Sequence, residues 1–231
     1  MRLSYFSYIF FLSTYTFCQI QINSFDPAGL KTGYWTDTLG ALIKKGEYIS
    51  GKAEGLWHSY HYLKAYDHLA EIAYYKNGQY HGVVFNIDYQ GHLTQESNYA
   101  NGKLDGRRVY YSDNAQKKSE EQFKDDLLQG KRVVYYEGRV VQEEAHYVKG
   151  LKHGPSKWYN SQGDLIMEST YANGQLHGKQ RTFNNSALIS EGEYVNNVKS
   201  GTWQFYNDSG EKIREEIYVQ GKQPKIKNFK K

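Results

Sequence analysis

The feature that most constrains this chain is a short segment that returns at a nearly fixed step. It reads Tyr-Ala-Asn-Gly-Lys-Leu-Asp-Gly from Tyr99 to Gly106, Tyr-Val-Lys-Gly-Leu-Lys-His-Gly from Tyr147 to Gly154, and Tyr-Ala-Asn-Gly-Gln-Leu-His-Gly from Tyr171 to Gly178. Its second glycine recurs at Gly33, Gly55, Gly82, Gly106, Gly130, Gly154, Gly178 and Gly201, and the commonest step is 24 residues. A period of this size marks a chain that stacks one small unit many times.

Three further columns keep phase with the glycine. Five residues after it stand Thr38, Tyr60, Ile87, Tyr111, Tyr135, Tyr159, Phe183 and Tyr206. Before the next turn stand Tyr48, Tyr75, Tyr99, Phe123, Tyr147, Tyr171, Tyr194 and Tyr218. Three residues ahead of the last six of these lie Glu96, Glu120, Glu144, Glu168, Glu191 and Glu215. The first glycine of the pair, at Gly78, Gly102, Gly150 and Gly174, follows Asn or Lys as in a tight hairpin turn, where positive φ is required. Tyr, Val, Ile, Phe and Trp dominate between turns, which is strand chemistry. Each unit therefore reads as a β-hairpin, with room for two strands of about six residues. The expectation is an all-β meander of about eight such 24-residue units.

The pattern Y-x-N-G-x-x-x-G-x-x-x-x-Y, a Gly-containing turn, then L-x-x-E-x-x-Y resembles the MORN repeat in its bacterial variant, over roughly residues 29–224. Proteins of that kind often carry the label YwqK-type antitoxin. The resemblance implies an elongated, twisted, single-layer antiparallel sheet. It also implies contacts with proteins or lipids. Some copies depart from the pattern. Asp126 and Asn197 replace the first glycine, the segment from His58 to Tyr75 is three residues long for its register, and Lys225 stands where the last second glycine would fall.

Aromatic residues make up 16% of a chain with a mean hydropathy of −0.79. That pairing suits a thin sheet faced with tyrosine, whose apolar ring carries a hydroxyl that still reaches water. At the ordinary strand spacing, eight units span about 80 Å.

Residues 1–18 stand apart, with Arg2 followed by an apolar run from Leu3 to Phe17. The run is too short to span a bilayer comfortably, and it reads as a secretory signal peptide cleaved after Cys18. The alternatives are lipid attachment at Cys18, against which Phe17 is a poor neighbour, and a segment that stays uncleaved. Residues 19–28 form a lead-in, 29–224 the repeat domain and 225–231 a basic tail that caps the sheet edge. With Cys18 removed the chain has no thiol chemistry. Its formal charge falls from +4 to +3 with Arg2 gone, which signals little about nucleic acid.

No catalytic, cofactor or metal motif is expected. His81, His153 and His177 share one turn column, but neighbouring copies would sit about 10 Å apart, too far to share an ion. His58, His61 and His68, with Asp67 and Glu71, form one loose grouping without metal-ligand spacing. The glutamate column is expected to face water and pair with Arg107, Arg108, Lys131, Arg132 and Lys179 on neighbouring strands.

The leading functional expectation is an exported, non-enzymatic scaffold. Its extended aromatic face would hold a protein partner, or an envelope surface of anionic lipid or glycan. The alternative, from the resemblance, is an antitoxin-like protein that masks a toxin. A third is carbohydrate binding by ring stacking on Trp35, Trp57, Trp158 or Trp203.

Overall fold

The computed structural model describes residues 22–63 and 66–229. The expected signal segment and Cys18 lie outside the described residues. The eighteen strands are β1 (Ser24–Phe25), β2 (Lys31–Leu39), β3 (Leu42–Ile49), β4 (Lys52–Leu63), β5 (Tyr66–Lys76), β6 (Gln79–Ile87), β7 (Leu93–Ala100), β8 (Lys103–Tyr111), β9 (Lys117–Lys124), β10 (Leu127–Tyr135), β11 (Val141–Val148), β12 (Leu151–Tyr159), β13 (Leu165–Ala172), β14 (Gln175–Asn184), β15 (Ala187–Val195), β16 (Val198–Tyr206), β17 (Lys212–Tyr218) and β18 (Lys225–Asn228). Each pairs antiparallel with the next in sequence, giving one open sheet. The meander of hairpins expected from the period is the observed fold. The strands are longer than the expected six residues, mostly eight or nine, because the second glycine continues the strand instead of ending it.

That glycine is a bulge. Tyr99 pairs with Leu104 and Ser97 with Arg108, so Asp105, Gly106 and Arg107 oppose Asn98 alone. The extra residues bend the strand, and Gly106 takes φ +110° to allow it. On its other side Gly106 lies opposite Phe123, and Gly82, Gly130, Gly154, Gly178 and Gly201 likewise oppose Tyr99, Tyr147, Tyr171, Tyr194 and Tyr218. A second register shift falls at the other aromatic column, for example at Tyr111, Tyr135 and Tyr159. The first hairpin, where Thr38 replaces the aromatic, pairs without a shift.

The turns couple one unit to the next. Gly102 donates its N–H to the Tyr80 carbonyl at 2.9 Å. Gly51, Gly78, Asp126, Gly150, Gly174 and Asn197 bond back in the same way to Lys31, Ala53, Leu104, Leu128, Lys152 and Leu176. Asp126 and Asn197 hold φ of +67° and +68°, so the departures from glycine keep the turn geometry. The opposite ends of the hairpins are closed by Asx turns, in which Asp88, Asn160 and Asn207 each accept two backbone N–H bonds. The three extra residues after His58 lengthen the β4–β5 hairpin and leave its pairing intact. The sheet also reaches past the expected domain bounds. β1 takes in part of the lead-in, and Lys225 to Asn228 pair with β17.

Strand alternation sorts side chains onto two faces. Most of the core lies on one of them, the tryptophan face, as a row running straight across the strands, while the buried Val109 and Val133 lie on the other, opposite Glu96 and Glu120. Trp35, Gly46, Trp57, Ala73, Val84 and Ser97 lead into Arg108, Glu121 and Arg132, then Ala145, Ser156, Ser169, Gln180, Gly192, Trp203 and Glu216. Most of this row is buried, and beside it runs the half-buried column from Tyr48 to Tyr218.

Candidate binding faces

On the tryptophan face, small row residues make room for rings. A Cβ on Gly46 would lie 2.2 Å from the Trp57 indole, and one on Gly192 2.2 Å from that of Trp203. The rings form a continuous edge-to-face and tilted ladder. Phe25, Trp35, Tyr48, Trp57, Tyr75, Tyr80 and Tyr99 follow one another at centroid distances of 5.1, 5.9, 5.0, 5.8, 4.8 and 5.1 Å. Burial pushes the phenols of Tyr48, Tyr75, Tyr80 and Tyr99 above their ordinary range, so the ladder is uncharged.

This placement corrects the expectation of a stacking platform. Trp35, Trp57 and Trp203 are 5%, 4% and 3% exposed, so their ring faces pack against protein. Trp158 is half-buried, with the Lys152 ammonium 5.4 Å from its ring.

In the middle of the same face, charges replace rings. Arg108 donates to Glu121 at 2.8 and 3.0 Å, Arg132 bridges Glu121 at 3.1 Å and Glu143 at 3.0 Å, and Lys152 bonds the other oxygen of Glu143. Glu121 and Glu143 are buried. Arg108 and Arg132, expected as partners of the glutamate column, instead serve this separate network. Its signal was available, since Glu121 and Glu143 stand two and four residues before Phe123 and Tyr147, an even spacing that puts them on the core face.

The opposite, glutamate face carries the column from Glu96 to Glu215. As expected, most of its members pair across strands, whereas Glu215 pairs with Lys212 on its own strand. Arg107 reaches Glu96 and Glu120 at 3.4 and 2.8 Å, Lys131 reaches Glu144 at 2.7 Å, and Arg181 lies between Glu168 and Glu191 at 3.6 and 3.5 Å. The Arg107 hydrogen bond, followed by one from Lys117, holds the Glu120 carboxyl below its ordinary range. Tyr111 and Tyr206 donate to Glu96 and Glu191, both at 3.1 Å. Toward the first strands this face turns apolar, and Tyr34, Leu56, Tyr74 and Val83 stand exposed on β2, β4, β5 and β6. Leu56 and Tyr74 are direct cross-strand partners.

His61 and His68 pair across β4 and β5, whereas His58 falls on the other face, so the loose histidine grouping is split. No group of three metal-ligating side chains is present among the described residues. No helix among them is long and apolar enough to cross a membrane.

No family model and no curated protein matches this chain. Among solved structures, one match is the crystal structure of a GtfA/B complex bound to UDP and GlcNAc, at 14% identity and a TM-score of 0.23. The match covers 49% of this chain and 22% of that one. A likeness this slight bears on neither fold nor function.

Proposed function

We propose that this chain is an exported, non-enzymatic scaffold of the MORN-repeat kind that docks a protein partner on its glutamate face. The observation that carries the reading is the patch of Leu56, Tyr74 and Val83, which are 55%, 45% and 36% exposed on the adjacent strands β4, β5 and β6. Contiguous exposed apolar surface bounded by charge is the character of a protein-binding patch. Glu47 on β3, between Tyr34 and the patch, and the Arg107–Glu120 pair beyond Val83 supply the polar rim. The stiff repeat sheet holds the patch in a fixed shape, which lowers the ordering cost of association.

The test is crosslinking in producing cells with the intact chain, compared with Leu56→Lys/Tyr74→Lys and with Ile166→Lys, an exposed site far along the sheet. The expected result is a discrete crosslinked species that the double variant loses and the Ile166 variant keeps. A species indifferent to Leu56 and Tyr74 defeats the assignment.

A further inference from the structure

Along one rim of the sheet, each tight turn is tied to the strand before it by the same bond. From Gly51 and Lys31 to Asn197 and Leu176, the second central turn residue gives its N–H to a carbonyl placed two residues before a bulge glycine. The next carbonyl of that column belongs to Lys199, two residues before Gly201, and it receives no such bond.

The reason lies in the turn from Val219 to Lys222. In the earlier turns both central residues hold positive φ, from Ser50 and Gly51 to Asn196 and Asn197. Here only Gly221 does, at +74°, and the Lys222 N–H closes on the Val219 carbonyl at 3.0 Å. Positive φ at the second central residue alone is the type II turn, which splays the strands that a type I′ turn keeps together. Pro224 has no N–H to give to a ladder, and β18 begins only at Lys225. A slot of about 330 Å³ is left at the rim, lined by Val195, Asn196, Val198, Lys199, Ser200 and Gln220.

Other units of the same sheet show what fills such a place. Asn197 takes both the carbonyl and the N–H of Leu176, at 2.9 and 2.8 Å, and Asp126 takes both from Leu104, at 2.9 and 2.7 Å. Lys199 pairs with Tyr194 as Leu104 pairs with Tyr99, so its carbonyl and N–H also point away from the partner strand, toward the slot. Among the described residues no turn or side chain bonds to either group.

The side chain of Lys199 is also without its usual partner. Lys31 and Lys152 hold the same position in their units and pair with Asp37 and Glu143. In the Lys199 unit those two carboxylate positions are Phe205 and Ser190. The Lys199 ammonium lies 4.1 Å from the Trp203 ring and 5.3 Å from that of Tyr218, and it has no ion pair among the described residues. Glu193, opposite Ser200, lies on the glutamate face. Val195 and Val198, 46% and 60% exposed, add an apolar wall.

We propose that this slot docks an aspartate-bearing tight turn of a partner protein. The aspartate gives its N–H to the Lys199 carbonyl and takes the Lys199 N–H on its carboxylate, as Asp126 does at Leu104. The uncompensated ammonium favours aspartate over asparagine, since a charged acceptor makes the stronger bond. The residues flanking the turn rest on Val195 and Val198. The slot lies at the other end of the sheet from Leu56 and Tyr74, so it stands independently of docking there.

The experiment titrates the isotope-labelled full chain with a disulfide-closed hairpin peptide copied from residues 124–127, Lys-Asp-Asp-Leu, and follows the backbone amide signals. Hairpins with Asn or Gly in place of the second Asp, and linear tetra-aspartate, are titrated beside it. The expected result is a saturable shift of the Lys199 amide. Affinity should fall on the order of tenfold with the Gly hairpin, as for one lost charged hydrogen bond, and less with the Asn hairpin. Lys199→Gln should bring the Asp hairpin to the level of the Asn one. Gln220→Asn restores a residue suited to positive φ, lets Gly221 reach the Lys199 carbonyl, and should abolish binding. An unmoved Lys199 amide, equal affinity for the three hairpins, tetra-aspartate binding as tightly as the Asp hairpin, or undiminished binding by Gln220→Asn overturns the slot. Leu56→Lys/Tyr74→Lys should leave the titration unchanged, and loss of binding in that variant overturns the slot's placement at this end of the sheet.

Discussion

Asn197 bonds twice to the backbone of Leu176. Its N–H donates to the Leu176 carbonyl at 2.9 Å, and its side-chain Oδ1 accepts the Leu176 N–H at 2.8 Å. Asp126 does the same to Leu104, at 2.9 and 2.7 Å. At both turns a side chain adds a bond that glycine lacks, which compensates for placing a non-glycine residue at positive φ. Asn197→Ala keeps the strained φ and loses the side-chain bond, so it should destabilise by about 2 kcal/mol. Asn197→Gly relieves the strain and should cost about half as much. Urea unfolding of the two variants checks the order, and an alanine variant as stable as the glycine one contradicts it.

Glu143 and Glu144 are adjacent yet face opposite ways. Glu143 is 5% exposed and holds both Arg132 and Lys152, whereas Glu144 pairs with Lys131 in reach of water. Glu143→Ala leaves the half-buried Lys152 without its ion-pair partner and Arg132 with Glu121 alone, and should cost about 3 kcal/mol. Glu144→Ala removes a partly exposed pair and should cost under about 1 kcal/mol. Comparable losses in thermal or denaturant unfolding would show that the buried network contributes no more than the surface ladder.

The period made the fold legible because every unit repeats the same turn and bulge, and the columns on Gly106, Tyr111 and Phe123 report those constraints directly. The candidate sites were less legible because they come from residues that break the repeat. Leu56 and Tyr74 occupy positions that hold other residue types in neighbouring units, and only the cross-strand register brings them together. Trp35, Trp57 and Trp203 were misplaced for the same reason. Their role as core depends on Gly46 and Gly192, which lie on other strands and outside the repeating glycine columns.

Tyr218 should dominate part of the alkaline behaviour. Burial, followed by its 2.7 Å hydrogen bond to Glu216, pushes its phenol up to about 12 from an ordinary 10.0. A raised folded-state value means that the neutral form is favoured by folding. The stability it contributes is complete below pH 10.0 and is lost as the pH rises toward 12. Spectrophotometric titration of the folded protein should show one late phenol disappear in Tyr218→Phe, with a shallower loss of stability over the same interval. A titration curve unchanged near its upper end would place the late phenol elsewhere.

Gly46 and Gly82 should respond to alanine for opposite reasons. At Gly82 the backbone sits at φ +82° with open space around an added Cβ, so the cost is backbone strain of about 1–2 kcal/mol. At Gly46 no positive φ is required, and the added Cβ meets the Trp57 ring at 2.2 Å, an overpacking cost of about 1–3 kcal/mol. Single variants do not separate these, because the totals overlap. A double-mutant cycle does. In a Trp57→Phe background the smaller ring can yield, so the penalty of Gly46→Ala should shrink. The penalty of Gly82→Ala should stay as it was, since no ring is involved. A Gly46→Ala penalty that is the same with Trp57 or Phe at that position would mean the indole is not what excludes a side chain there.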